Sequence, residues 1–306
     1  MYKKFGTVLD FGKLNKADYF FSLGRLAASL KYNKQKLSIF GFSMKDYYLI
    51  VNCIKKGKHK IMDIIHAYNS IPVCPKDLIP RFNRRIVIDN NTLNHFKEYY
   101  DKNNHNEFFG NVKLIYNYTE LPKNLEKAIN TNLKIIYVGR STYEKRVYLI
   151  KEIAKRCFEE NLNVEFSLVG PDKEAEDELN PAYCSTGLIT NDIELNEIYE
   201  KADIILITSF REGFPIVLME AMGHGTIPIS TAVGGIPYHL KNGVNGFLVE
   251  AKEEETIISE FMNYIKELSL NRPLVKEMSN NCRWYAKENF SKVSFQRGYK
   301  KLFQDT

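Results

Sequence analysis

The sequence predicts an α/β fold of two doubly wound parallel-sheet domains facing one another across a cleft, and three observations carry that prediction. At 306 residues and 44% hydrophobic content, the chain is long enough to give each of two domains its own core. Short β-branched and aromatic runs alternate with helical periodicity in both halves. The series starts again, with clearer signals, at Leu133, beyond a joining segment near Leu121 to Asn132. Strand and helix in alternation imply parallel strands covered by helices on both faces, with a ligand crevice at the carboxyl ends of the strands. The expected domains are residues 1–130 and 131–306, with the last helix packing back onto the first domain. A disordered or fibrous chain is excluded.

The first half opens with an expected strand at Phe5 to Asp10. A helix follows whose apolar positions include Phe20, Leu23, Leu26, Ala27 and Leu30. Next come a strand at Lys36 to Phe40, a helix at Lys45 to Lys55, and strands at Ile61 to His66 and Arg85 to Ile88. A helix at Leu93 to Tyr100 and a strand at Val112 to Tyr116 close the series. In the second half, Leu133 to Val138 is a strand ended by Gly139. The next helix carries Val147, Ile150, Ala154 and Cys157 at helical spacing, and Ser141 three residues before Glu144 has the spacing of a capping box. Strands are expected at Val164 to Val169, Ile204 to Thr208, Thr226 to Ser230 and Phe247 to Val249. Helices are expected at Glu194 to Glu200, Ile216 to Met222 and Glu254 to Leu268.

The formal charge of +6 hides an asymmetry. Residues 1–130 hold 22 basic and 11 acidic groups, and residues 131–306 hold 21 and 26. A basic first half and an acidic second half suggest different partners, although Lys-rich helices also serve simply as solvated surfaces. The five cysteines are odd in number, widely spaced and never in a C-x-x-C pair, so they indicate neither a disulfide framework nor a zinc site. A reduced, cytoplasmic setting is expected. The densest apolar run near the start, Tyr47 to Ile54, is too short to span a bilayer, so any membrane contact is expected to be peripheral.

Two strand-to-helix junctions carry chemistry. Ser209 to Glu220, SFREGFPIVLME, leaves a strand and opens a helix, with Pro215 suited to the first helical turn and the amides of Gly213 and Phe214 offered to an anion. Glu212 lies just before the helix and Glu220 about 7–8 Å further along it, a separation that suits hydroxyl groups on either side of one diphosphate. A capped surface helix with incidental acids fits the same residues. At the other junction, Val138 to Arg146, Gly139 permits a tight turn while Arg140 and Lys145 add fixed cations beside free helix amides, a natural setting for a pyrophosphate. Pairing of Arg140 and Lys145 with surface acids is the plainer alternative.

Together these segments resemble the donor half of the GT-B glycosyltransferases, two-domain Rossmann-like enzymes, and specifically the retaining family 4 group. That family carries a Gly-Arg then Lys pattern for the donor phosphates and an E-x7-E motif, matched here by Gly139, Arg140, Lys145, Glu212 and Glu220. The resemblance implies that Glu212 meets the transferred hexose and Glu220 the ribose. It extends to Gly170 in Val169-Gly170-Pro171-Asp172, to Leu188 in Gly187-Leu188-Ile189 near the base pocket, and to Gly234-Gly235-Ile236-Pro237 followed by Asn242 to Gly246. In the first half, Gly12 occupies a loop where the family often has a glycine pair, and His66 ends a strand where the family places a histidine near the sugar. Tyr238 stands where many relatives have Glu, which puts donor-sugar contacts in question. Arg146 stands where a Gly usually follows the Lys, and this second change is expected to leave those contacts alone.

The resemblance implies a nucleotide-diphosphate-sugar donor, retention of anomeric configuration, and a saccharide or lipid-linked saccharide acceptor, as in bacterial surface polysaccharide synthesis. No Asp-x-Asp tract of suitable context and no metal-ligand spacing occurs, so no metal or cofactor is expected. Arg140, Lys145 and helix amides would stabilise the leaving diphosphate. The basic first domain, with Tyr19, Phe20, Phe21, Tyr47 and Tyr48, is a candidate for contact with an anionic membrane, and no specific nucleic-acid module is seen. A nucleotide-sugar epimerase, a phosphorylase and a non-catalytic sugar-nucleotide-binding subunit are the rival readings.

Overall fold

The apolar runs of the sequence become parallel strands of two separate sheets. The computed structural model describes residues 16–66, 74–122, 127, 131–170, 184–187, 189 and 191–304. The expected strand at Phe5 to Asp10 and the loop residue Gly12 lie outside the described residues, as does Leu188. The chain divides into two compact units. One holds the chain up to Ile88, Thr92–Leu114 and the residues from Leu302 on; the other holds Asp89–Asn91 and Ile115–Lys301.

In the first unit, β1 (Ser38–Phe42), β2 (Lys60–Ile65), β3 (Arg84–Val87) and β4 (Val112–Leu114) pair in that order, all parallel. They are interleaved with α1 (Lys16–Tyr32), α2 (Lys45–Cys53) and α3 (Asn90–Lys102). The sequence KIMDII of β2 does not alternate, and all but its first residue are buried, as expected for a strand covered on both faces. Asp63 interrupts that apolar run because Arg85 lies opposite it in register on β3. The guanidinium donates Nη2 to Asp63 Oδ2 at 2.7 Å and Nε to Oδ1 at 3.0 Å, with the two side chains 1% and 0% exposed. Further bonds run from Arg85 to the hydroxyls of Tyr48 (3.1 Å) and Tyr100 (3.2 Å), and the guanidinium carbon lies 4.6 Å from the centre of the Phe82 ring. A buried pair so fully bonded fixes how two central strands meet.

In the second unit the strands are β5 (Leu133–Val138), β6 (Val164–Val169), β7 (Cys184–Gly187), β8 (Ile204–Ile207), β9 (Ile227–Thr231) and β10 (Phe247–Val249). They form one parallel sheet in the order β10-β9-β8-β5-β6-β7. The chain therefore steps outward from β5 to β7, returns to the other side of β5 at β8, and steps outward again. The reversal of winding falls between β5 and β8, where successive loops diverge and leave a crevice at the carboxyl edge. Around the sheet stand α4 (Val147–Glu159), α5 (Asp192–Lys201), α6 (Ile216–Gly223), α7 (Glu254–Leu270) and α8 (Arg272–Phe290), and α9 (Lys292–Gln304) follows in the chain. Side chains of Asn191 and Asn271 cap α5 and α8 by accepting from the amides of Glu194 and Leu274. Helix α4 buries Val147, Ile150, Ala154 and Cys157 together with Leu149 and Ile153. It begins at Val147, later than a capping box at Ser141 and Glu144 would set it. Residues Tyr143–Lys145 instead form a separate 3-10 turn, and Arg146 in the left-handed region (φ 50°, ψ 48°) joins the two.

Removing one member of a buried ion pair leaves the other charge uncompensated, at a cost of about 3–5 kcal/mol. Arg85→Met should destabilise the first unit by about that much, read as a lower urea midpoint. Adding Asp63→Leu should restore most of the loss in the same circular-dichroism titration.

Candidate functional site

Strands β5 and β8 are direct neighbours, so the loops at their carboxyl ends start side by side. After β5, the Gly139 amide donates to Val169 O at 2.9 Å, which ties the turn to the end of β6. Gly170, at φ 90°, lies so close that a Cβ there would sit 2.9 Å from Gly139 O; a side chain would be strained in its backbone and crowded in space. The Tyr137 hydroxyl donates to Arg140 O at 2.5 Å and holds the loop from below. After β8, Ser209 and Glu212 turn back toward it. The Phe210 amide donates to Glu144 O at 3.0 Å, and Lys145 Nζ donates to Glu212 Oε1 at 2.6 Å. Ser209 Oγ donates to the same carboxylate oxygen at 2.7 Å. The Lys145 and Glu212 side chains are 22% and 9% exposed, so this charge-assisted bond is largely shielded and stronger than a surface pair.

Helix α6 supplies the rest of this edge. Pro215 is its N-cap (φ −74°, ψ 133°) and accepts from the Leu218 amide, so it stands one position before the first helical turn expected for it. The backbone amides of Gly213, Phe214, Ile216 and Val217 have no hydrogen-bond partner among the described residues, the usual condition of groups at a helix start. Gly213 O accepts from the Gly235 amide at 2.6 Å. Gly234, at φ 58°, approaches so closely that a Cβ would lie 2.1 Å from Glu212 O. The Gly234-Gly235 turn is thus the wall against which Glu212 and Gly213 rest. The Phe214 ring packs 4.2 Å from that of His239, centre to centre, and 5.4 Å from that of Phe290. Burial pushes the His239 imidazole down to about 4, so it is neutral at physiological pH and acts as part of the aromatic cluster.

Glu220 lies one turn into α6. The buried Tyr199 of α5 donates its hydroxyl to Glu220 Oε2 at 3.0 Å, and its ring stacks on His224 at 5.4 Å. Burial raises the Glu220 carboxyl above the ordinary carboxylate range, and the Tyr199 hydrogen bond opposes that rise. Arg140 is exposed beside this edge. His66, at the end of β2, belongs to the first unit; its ring centre is 5.4 Å from that of Phe42, and burial lowers its pKa from the usual imidazole value. Tyr238 is 48% exposed on the 3-10 turn Ile236–Tyr238 that follows the glycine pair.

Two parallel sheets with flanking helices match the fold of solved GT-B glycosyltransferase structures. The HepE protein of Anabaena, solved in complex with UDP, superposes with a TM-score of 0.73 over 93% of this chain and 82% of its own, at 15% identity. Residues 132–267 match the family model of the glycosyl transferases group 1, so the second unit carries a group 1 glycosyltransferase domain. An uncharacterised glycosyltransferase of Methanocaldococcus jannaschii is 32% identical over 130 residues, 40% of this chain and 33% of that protein. The N-acetyl-alpha-D-glucosaminyl L-malate synthase of Bacillus anthracis is 29% identical over 109 residues, 36% of this chain and 28% of that protein. The matched stretch spans about a third of these curated relatives. No helix among the described residues is long and apolar enough to cross a membrane.

Sequence reasoning missed Tyr199, Thr208 and the bonding role of Ser209. Tyr199 reads as one more apolar residue of a helix, and nothing in its spacing points to a glutamate 21 positions on. Gly234→Ala should displace the Glu212 backbone and destabilise the second unit by about 1–3 kcal/mol, the usual cost of a strained left-handed residue, read as a lower urea midpoint.

Proposed function

We propose that this chain is a metal-independent, retaining glycosyltransferase of the family 4 type. It moves a hexose or N-acetylhexosamine from a UDP- or GDP-sugar to a saccharide or lipid-linked saccharide acceptor in bacterial surface polysaccharide synthesis, at the cytoplasmic side of the membrane. The observation that carries this proposal is the contact of Lys145 with Glu212 across the β5–β8 reversal. It puts a cation, a carboxylate and the first amides of α6 at one edge. As the anomeric bond breaks, negative charge builds on the leaving diphosphate. Fixed cations and oriented amides stabilise that charge without having to reorganise.

In this mechanism Lys145 and Arg140 hold the phosphates, Glu212 accepts from hydroxyls of the transferred sugar, and Glu220 accepts from the ribose. Gly139, Gly170, Gly213, Phe214 and Pro215 shape the donor cradle. Two comparisons support the donor class and linkage: HepE was solved with UDP, and the Bacillus anthracis relative is named for an α-linked N-acetylglucosaminyl product. Front-face attack accounts for retention, with the acceptor hydroxyl passing its proton to the departing diphosphate.

A thermal-shift panel of UDP-glucose, UDP-N-acetylglucosamine and GDP-mannose should raise Tm with at least one donor, because a ligand at 100 times its Kd adds about 2.7 kcal/mol to native stability. Lys145→Ala and Arg140→Ala should weaken that shift. Glu212→Ala should slow transfer roughly 10²–10³-fold, the usual loss when one transition-state contact is removed. Transfer should persist in EDTA. Full activity in all three variants would overturn the site assignment.

Glu220 makes a separate forecast. Its carboxyl pKa is raised in the folded state, so its contribution to stability is present at low pH and is lost as pH rises through that raised value. Glu220→Gln removes the buried charge and should raise Tm at pH 7. It should also weaken donor binding about tenfold, by the loss of a charged hydrogen-bond acceptor.

A further inference from the structure

Arg146 stands at the joint between the two donor loops. Its backbone lies in the left-handed region at φ 50°, a conformation that glycine adopts freely and a side chain rarely does. Its own guanidinium offsets that strain. Nε donates to Thr208 O at 2.6 Å and Nη2 donates to Ser209 O at 3.2 Å, with the residue 9% exposed. The connection is reciprocal, since Thr208 Oγ1 donates back to Lys145 O at 2.8 Å and to Arg146 O at 3.1 Å. Ser209 O also accepts from Thr231 Oγ1, which brings the end of β9 into the same knot. The two side chains that bond the Glu212 carboxylate, Lys145 and Ser209, therefore both belong to residues joined directly to Arg146. Lys145 precedes it in the chain, and Ser209, whose hydroxyl holds Glu212 Oε1, lends it a carbonyl.

We infer that Arg146 is a positioning residue for the donor site, a clasp whose guanidinium locks the end of β8 to the turn before α4 and so fixes Lys145 and Glu212 in register. The inference rests on the proposed function for the identity of the ligand, and on geometry alone for the clasp. A planar fork is needed to reach two successive carbonyls at once, which a lysine ammonium does not supply. Glycine at 146 would relax the backbone and release the loops together, so Arg146→Gly separates the clasp from a folding defect.

The test compares wild type with Arg146→Gly by amide hydrogen exchange, by titration with UDP, GDP, ADP and dTDP, and by donor and acceptor kinetics. The Phe210 amide, bonded across the two loops to Glu144 O, should exchange at least tenfold faster in the variant, with the Leu168 amide in β6 unchanged. The Kd of the bound nucleotide and the donor KM should each rise about tenfold while the acceptor KM stays constant. Wild-type exchange at Phe210 would overturn the clasp, and faster exchange with unaltered nucleotide affinity would overturn its positioning role. A wild type that binds none of the four nucleotides would overturn the donor assignment, and the exchange result would still decide the clasp.

Discussion

The site depends on one topological fact: β5 and β8 are neighbours in the sheet, but the chain leaves them in opposite directions around it. Loops that diverge from adjacent parallel strands cannot close over the sheet edge, and the gap between them is where helix amides and loop side chains converge. In this chain the gap is bridged by side chains, chiefly Lys145 to Glu212, Arg146 to Thr208 and Ser209, and Thr208 back to Lys145. Polar groups are taken out of water there at a cost. That cost is met because nearly every one is bonded to its neighbour.

The two units use buried charge differently. In the first, Asp63 and Arg85 are closed off by two tyrosine hydroxyls and two aromatic rings, so their role is to register β2 against β3. In the second, Lys145 and Glu220 stay partly open to solvent. Glu220 accepts from Tyr199 through one oxygen, and its raised pKa marks a carboxylate held at some expense to stability. A partly accessible carboxylate beside a partly accessible cation is the arrangement that the proposed donor role requires.

Much of this was legible in the sequence because parallel strands covered on both faces read as unbroken apolar runs. LKIIYV, IILI and FLV lie within a residue of their expected bounds. The acids and cations at the two junctions were legible too, as strand-to-helix motifs in order. Other features were not. Nothing local announced that Asp63, within the strand leading to His66, would face Arg85 across the sheet. The capping-box spacing of Ser141 and Glu144 pointed to an earlier helix start, but the chain spends Tyr143–Lys145 on a 3-10 turn so that Arg146 can reach the end of β8. Tyr199 and Thr208 act through partners far away in sequence, and only the fold brings them together.

The most direct measurement of the central claim is a backbone amide chemical-shift titration of the whole chain with the nucleotide sugar it binds. Resonances from Gly139 to Lys145 and from Ser209 to Glu220 should move together, saturating with one common Kd. Shifts confined to one junction, or two junctions titrating with different constants, would contradict a single diphosphate site at the β5–β8 reversal.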